Sequence, residues 1–149
     1  MERNQVQRYI TDASVVVKWF VEEQETENAL KLKRRFEDGE VELEAPSLLE
    51  YEVASAIRFH PKVRFTLKQF RAVREALDEM QITRDPNARE WDMAYGLSQE
   101  STVSMYDAVY IALALSSHSK MVTADTSLLN RVKSSEIRQN ITALTNLEL

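Results

Sequence analysis

The stretch "SMYDAVYIALAL", from Ser104 to Leu115, places a carboxylate at the start of a strongly apolar segment. On a helix, the residues that follow Asp107 leave no polar face, and a helix that is apolar on all sides is normally buried. Ser104 and Asp107 fit the Ser-x-x-acid capping pattern, and an acid in the first turn also suits the helix dipole. Asp107 is therefore a helix cap unless other carboxylates converge on the same place.

The composition describes a globular chain that is rich in helix. Its 149 residues are enough for one domain with a substantial core, and 44% of them are hydrophobic. The absence of cysteine excludes disulfides and thiolate metal sites. The N-terminal residues lack the apolar core of a signal peptide, and no stretch approaches the roughly 18 apolar residues that span a membrane. We therefore expect a single domain over residues 1–149, cytoplasmic and without membrane association.

The charge is unevenly distributed along the chain. The net charge of −5 does not favour a nucleic-acid partner by itself. However, one segment contains six basic residues and no acidic ones: Arg58, Lys62, Arg64, Lys68, Arg71 and Arg74. This segment is either the solvated face of a helix with a few core aromatics or a surface that contacts phosphates.

Alternating strand and helix patterns predict a mostly parallel sheet. The predicted strands cover 6–12, 41–46, 80–83, 120–125 and 140–144. The predicted helices begin at 13 and 104 and cover 25–38, 47–59, 66–80, 87–99 and 126–133. In open sheets of this kind, sites form outside the carboxyl ends of the strands, so Asp12 and Asp125 are informative because each ends a predicted strand.

Glu52 is the most telling acidic residue. At 100° per residue, it falls inside the apolar arc of its predicted helix, between Phe59 and Ala56, whereas Glu50 falls just beyond the edge of that arc. A carboxylate that points towards a core needs an Arg partner, a metal or a proton. Its alternative roles are a buried ion pair or the rim of a pocket, and helix capping remains the alternative for Asp12 and Asp125.

Together, the four carboxylates favour a divalent cation. Two come from strand ends, one from the start of a buried helix and one from an apolar helical arc, and all can meet at one end of a parallel sheet. Oxygen ligands without Cys or His favour Mg²⁺ or Mn²⁺. Such an ion takes phosphate oxygens as further ligands, lowers the pKa of bound water and relieves the mutual repulsion of the carboxylates.

Four stretches then carry a family resemblance: "YITDASVVVKWF", "APSLLEYEVASAIRF", "YDAVYIALAL" and "MVTADTSLL". In their order and spacing, the chain resembles PIN-domain ribonucleases, and within them the toxins of VapBC toxin–antitoxin pairs. The resemblance implies an α/β fold, a PIN-like three-layer α/β/α domain with a mostly parallel central sheet. It also implies a Mg²⁺- or Mn²⁺-dependent endoribonuclease with 5′-phosphate and 3′-hydroxyl products.

The resemblance also implies roles for individual residues. The acidic residues of the family, which hold the metal and catalyse the reaction, carry over to Asp12, Glu52, Asp107 and Asp125. Supporting hydroxyl groups carry over to Ser14 and Thr123, whereas Ser55 stands where family members often have Asn. RNA-backbone contacts are assigned to four basic residues: Lys18, Arg58, Lys62 and Arg64. The implied partners are RNA, a VapB-like antitoxin and a second copy of the chain.

Three other functions compete with this interpretation. A phosphatase of the D-x-D type requires an acid two residues after Asp12, where Ser14 stands, and a phospho-accepting signalling domain requires adjacent acids that "RYITDAS" lacks. The remaining alternative is a catalytically inactive PIN-like binding or assembly module. Retention of all four carboxylates argues against it.

Overall fold

The computed structural model describes residues 5–149 as a five-stranded, all-parallel sheet flanked by helices. The strands are β1 (Gln7–Thr11), β2 (Val41–Pro46), β3 (Thr83–Arg84), β4 (Lys120–Thr123) and β5 (Ile141–Ala143). The helices are α1 (Ala13–Val16), α2 (Thr26–Glu37), α3 (Leu48–Arg58), α4 (Leu67–Met80), α5 (Ala88–Glu100), α6 (Met105–Ser116), α7 (Ser127–Arg131) and α8 (Ser135–Arg138). The expected parallel α/β fold is confirmed.

The strand order β3-β2-β1-β4-β5 places the reversal of the chain's winding between β1 and β4. The chain first moves outwards from β1 to β2 and β3, and then returns to the other side of β1 through β4 and β5. Ligands of open α/β sheets bind outside the carboxyl ends of the strands at such a reversal. Asp12 directly follows β1, and Asp125 lies two residues beyond the end of β4.

Helix α6 is the central buried helix that its sequence predicts. Every residue from Ala108 to Ala114 is buried, and the Ser104 side chain caps the N-terminus. Because all sides of α6 contact protein, any charged group at its first turn lies at the edge of the core. No helix within residues 5–149 is long and apolar enough to cross a membrane.

Three local predictions from sequence are corrected. The strand expected at 80–83 is formed by Thr83–Arg84, because Met80 ends α4 and Gln81 adopts a left-handed conformation with φ 54°. The short helix α8 was not predicted. Phe59 does not belong to the buried arc of α3: it lies beyond the last helical residue and is 71% exposed.

A buried ion-pair network joins β3, α5 and α6. Glu90 is 1% exposed, accepts two hydrogen bonds of 2.7 Å from the Arg84 guanidinium, and also accepts from Asn87 N–H and Ser116 Oγ. These donors, the guanidinium first, lower the pKa of Glu90 to about 2, so it stays ionised although it is buried. The network ties α5 and the C-terminal end of α6 to the edge of the sheet.

Two glycines are expected to respond in opposite ways to alanine substitution. Gly39 follows α2 with φ +74°, and its N–H and that of Glu40 bond back to Phe36 and Arg35 as in a Schellman motif. Gly96 lies inside α5, and an added Cβ meets no atom within 4 Å at either glycine. Gly39→Ala should therefore cost about 1 kcal/mol, whereas Gly96→Ala should gain about 0.5–1 kcal/mol, measured by urea unfolding. Equal shifts in the two variants would contradict this account of Gly39.

Candidate functional site

Asp12 occupies the reversal point of the sheet and both of its carboxylate oxygens accept hydrogen bonds. Oδ1 accepts from Ser14 Oγ at 2.5 Å and from the Val15 N–H at 3.4 Å, while Oδ2 accepts from Thr123 Oγ1 at 2.5 Å. Ser14 Oγ in turn accepts from the backbone N–H of Ala124 at 2.8 Å. These bonds fix the orientation of the carboxylate and link the ends of β1 and β4.

Burial dominates the titration of Asp12. The residue is 9% exposed, and burial raises its pKa to about 6, even though the hydrogen bonds from Ser14, Thr123 and Val15 lower it. The negative charge of Glu52 adds a smaller increase. A carboxylate that is well oriented yet costly to ionise is one that a nearby cation stabilises.

Glu52 faces Asp12 from α3 and is half-buried. Burial is the main cause of its raised pKa, the charge of Asp107 adds to the increase, and the Tyr110 hydroxyl group opposes it. Tyr110 is 1% exposed, and its hydroxyl oxygen has no well-formed hydrogen bond with the described residues. A buried hydroxyl group of this kind is a donor that a bound water or ion ligand satisfies.

Asp107 forms only half of the expected capping box. Its backbone N–H donates to Ser104 Oγ at 3.1 Å, but the reciprocal bond, from the Ser104 N–H to the carboxylate, is not formed. Instead, the Asp107 carboxylate lies 3.4 Å from an Arg131 nitrogen. Burial first, and then the charge of Asp125, raise the pKa of Asp107, while Arg131 lowers it. The side chain thus belongs to a cluster of charges beyond its own helix.

Asp125 is the most exposed of the four carboxylates. Its Oδ1 accepts from the N–H and the hydroxyl group of Ser127 at 3.1 and 2.6 Å, as expected for a residue that precedes α7. Its Oδ2 accepts from Arg131 at 3.2 Å, and its own N–H donates to Thr123 Oγ1 at 3.1 Å. Asp125 therefore bonds the first turn of α7 from the residue before its N-cap, Thr126, and also contacts the candidate site.

The four carboxylates form a chain of electrostatic neighbours. Glu52 raises the pKa of Asp12, Asp107 raises that of Glu52, and Asp125 raises that of Asp107. As they stand, however, no three acidic or histidine side chains of residues 5–149 are close enough together to hold one ion. Burial, rather than repulsion between the carboxylates, is the largest cause of the raised pKa in each of Asp12, Glu52 and Asp107.

The donor set fits Mg²⁺ or Mn²⁺ better than a softer metal. The candidate ligands are carboxylate oxygens, and such hard donors suit these two ions. Three of the four have raised pKa values, and the buried Tyr110 hydroxyl group lies beside Glu52. Arg131 contacts both Asp107 and Asp125 in this structure.

The other residues singled out in the sequence lie apart from this cluster or at its margin. Ser55 is exposed, and its hydroxyl group has no hydrogen bond to the part of the chain that the structure describes. Lys18 is 9% exposed, so it offers RNA less surface than an exposed lysine. Arg58 stacks over Phe59 at 4.8 Å, Lys62 is exposed, and Arg64 donates to the His60 carbonyl at 2.6 Å.

A groove of about 550 Å³ lies between α3 and α4, away from the carboxylates. Glu50, Tyr51, Phe70 and Arg74 are among its lining residues, whereas Asp12, Glu52, Asp107 and Asp125 are not. Glu50 also accepts a hydrogen bond of 3.2 Å from Thr83. Glu50 and Glu52 therefore lie in different environments, although both are on α3.

Sequence reasoning missed two residues of the site, Arg131 and Tyr110. Both signals were present: Tyr110 lies three residues after Asp107 on the same helix, and Arg131 lies within the helix predicted over 126–133, after Asp125. An apolar stretch gives no reason to single out its tyrosine, and a lone arginine on a short helix is normally a surface residue.

We expect the metal-free stability of an Asp12→Asn variant, relative to the wild type, to rise with pH. The folded-state pKa of about 6 lies above the ordinary value of 3.8, so proton binding to Asp12 favours the folded protein. That stabilisation is complete below about pH 4 and is lost as the pH rises through about 6. Because Asn does not titrate, the free energy of unfolding of the variant minus that of the wild type should increase by about 2–3 kcal/mol between pH 4 and pH 7.5.

This prediction is checked by thermal melts of both proteins in EDTA at pH 4 and pH 7.5. Asp92→Asn is the control, because Asp92 is exposed on α5. A stability difference between Asp12→Asn and the wild type that is independent of pH would show that Asp12 titrates normally.

Comparison with known proteins places this geometry in a family. The PIN domain model matches residues 9–134. PAE2754 from Pyrobaculum aerophilum has a TM-score of 0.66 and 18% identity, over 94% of this chain and 85% of that one. VapBC2 from Rickettsia felis, crystallised with a DNA fragment from its promoter, has a TM-score of 0.66 and 12% identity, over 92% and 98%.

VapC20 from Mycobacterium tuberculosis, a toxin that cleaves the sarcin–ricin loop, has a TM-score of 0.58 and 13% identity, over 85% of this chain and 98% of that one. Identities this low establish the shared fold alone. No curated protein sequence matches the chain.

Proposed function

This chain belongs to the PIN-domain family, and from that premise we propose that it is a Mg²⁺- or Mn²⁺-dependent endoribonuclease, the toxin of a toxin–antitoxin pair. The fold is typical of nucleases, and a structural neighbour is a toxin that cleaves the sarcin–ricin loop. The proposal takes residues 1–149 as one catalytic domain.

The observation that carries the proposal is the oriented Asp12 carboxylate at the β1–β4 reversal, with Glu52, Asp107 and Asp125 as its electrostatic neighbours. Helix capping explains the hydrogen bond from Val15 to Asp12, but not the bonds from Ser14 and Thr123. Capping also leaves unexplained why a half-buried Glu52 faces Asp12. A shared cation accounts for both features.

In this proposal, Asp12, Asp107 and Asp125 hold the ion, directly or through water, and Ser14 and Thr123 orient Asp12. A bound divalent ion lowers the pKa of an attacking water and neutralises charge that develops on the phosphate. Glu52 orients that water and accepts its proton, a role that suits a carboxylate whose pKa burial raises above its ordinary value. As the water oxygen attacks phosphorus, the bond to O3′ breaks and O3′ takes up a proton from solvent water, which leaves a 5′-phosphate and a 3′-hydroxyl group.

RNA recognition is assigned to exposed basic residues around the C-terminal end of α3. Arg58, Lys62 and Arg64 are exposed there, and phosphate contacts of this kind add affinity without sequence specificity. Lys18 is retained as a candidate only because it follows Asp12 by six residues, and its side chain is buried.

The proposed protein partners are a small VapB-like antitoxin and a second copy of the chain. The fold likeness to VapBC2 supports the first. Exposed apolar side chains on and near α3 and α4, namely Tyr51, Phe59 and Leu67, support the existence of a covered protein surface. Light scattering on the purified chain tests the dimer.

The test of the activity is a cleavage assay on a mixed RNA substrate with Mn²⁺, with Mg²⁺ and with EDTA. The proposal predicts cleavage with either ion, its loss in EDTA, and products whose 5′ ends are phosphorylated. Cleavage that EDTA leaves unchanged would contradict the metal-dependent mechanism. If the protein neither binds Mn²⁺ nor cleaves RNA, it is instead a PIN-like binding or assembly module.

A further inference from the structure

Arg131 bridges two of the candidate metal ligands. Its side chain extends from the last residue of α7, and one terminal nitrogen lies 3.2 Å from Asp125 Oδ2 and 3.4 Å from Asp107 Oδ2. The two carboxylates thus lie on either side of one cationic nitrogen. A cation at this position offsets the repulsion between the two carboxylates, and here that cation is the guanidinium of Arg131.

The contacts of Arg131 are geometrically poor for an arginine that serves only to stabilise the fold. Both bonds use the same nitrogen, although a guanidinium forms its strongest contacts as a two-pronged fork. Its Nε is buried and has no hydrogen-bond partner among the described residues. A buried donor without a hydrogen-bond partner is energetically unfavourable. Because movement of the guanidinium to solvent relieves that cost, little free energy is lost when it leaves this position.

We propose that Arg131 is an internal counterion that takes the place of the metal between Asp107 and Asp125 and is displaced when a divalent ion binds. The inference rests on the proposed metal site. It follows because the carboxylate oxygens that face Arg131 are the ones a shared ion requires, and a guanidinium and a divalent cation repel each other at such distances. Arg131 therefore lowers the metal affinity of the site by competing for its ligands.

No three acidic side chains of residues 5–149 converge while Arg131 contacts Asp107 and Asp125. The oxygens of these two carboxylates that would bind an ion contact the guanidinium instead. Removing the arginine leaves two neighbouring negative charges, which a divalent ion then binds without first displacing a cation.

The test is Mn²⁺ calorimetry on the wild type and on Arg131→Gln, without RNA. We expect the variant to bind Mn²⁺ about tenfold more tightly, because two partly exposed ion pairs no longer compete with the metal. The control is Lys133→Gln, which removes the same charge two residues away from an exposed position. Its affinity should stay within about twofold of the wild type, as expected for a solvated charge.

If the glutamine variant folds poorly, the measurement is repeated with Arg131→Met, which keeps the aliphatic part of the side chain. Wild-type or weaker Mn²⁺ affinity in the Arg131 variants would overturn the inference, and so would an equal gain in Lys133→Gln. If the wild type binds Mn²⁺ and cleaves RNA, the proposed function survives that result. If no variant and no wild-type sample binds Mn²⁺, the metal site and the role of Arg131 are both wrong.

Discussion

Replacing Glu52 with Gln is expected to reduce RNA cleavage by about 100- to 1000-fold, the cost of removing one group that stabilises a transition state. Glutamine keeps the size and hydrogen-bonding capacity of the side chain but accepts no proton from the attacking water. The fold should be retained, because Glu52 is only half-buried and its carboxylate forms no ion pair within residues 5–149. Initial rates on RNA, with the melting temperature as a check on folding, measure both effects.

Glu50→Gln is the matched control for this variant. Glu50 lies two residues away on α3, is exposed, and accepts its hydrogen bond from Thr83 rather than facing the cluster. Its cleavage rate should stay within about threefold of the wild type, as for surface substitutions in general. Near wild-type cleavage by folded Glu52→Gln would remove Glu52 from the mechanism.

Mn²⁺ is expected to stabilise Asp107→Asn clearly less than it stabilises the wild type. A ligand that binds only the folded state at a thousand times its Kd adds about 4 kcal/mol to the free energy of unfolding. Losing one of its carboxylates weakens that binding, so the variant should gain clearly less. Asn retains some capping ability, and loss of the partly exposed contact with Arg131 costs only about 0–1 kcal/mol. Relief of repulsion with Asp125 offsets this cost.

Thermal melts of the wild type and Asp107→Asn, in EDTA and in millimolar Mn²⁺, separate these effects. In EDTA, the variant should match or exceed the wild type at neutral pH, and Asp92→Asn on α5 is the control for an exposed aspartate. If Asp107→Asn melts well below the wild type in EDTA and both respond equally to Mn²⁺, Asp107 is only a capping residue.

The sequence allowed the fold to be predicted because its signals are local. The apolar run after Asp107 indicates a buried helix from composition alone, and "VELEAP" is the strand β2 from end to end. The predicted strand ends at Asp12 and Asp125 placed these two carboxylates at one edge of the sheet, since the carboxyl ends of parallel strands meet there, although β4 itself ends at Thr123. Each inference needed only the order of the elements.

The rest depends on distances between side chains that periodicity does not specify. The sequence does not show that Arg131 would reach both Asp107 and Asp125. Only the family resemblance pointed to Thr123, which orients Asp12 across 111 residues. Helical periodicity also placed Phe59 wrongly in the apolar arc of α3, because α3 ends one residue before Phe59. The buried Glu90–Arg84 pair was missed for the same reason, since charged residues are normally assigned to the surface.

The most direct test of the central claim is anomalous diffraction from crystals of the wild type grown with Mn²⁺. The account predicts a manganese peak within coordination distance of Asp12 and Asp107, at the β1–β4 reversal, with the Arg131 guanidinium moved away from the carboxylates. A well-occupied manganese peak elsewhere, with Arg131 still between Asp107 and Asp125, would contradict it.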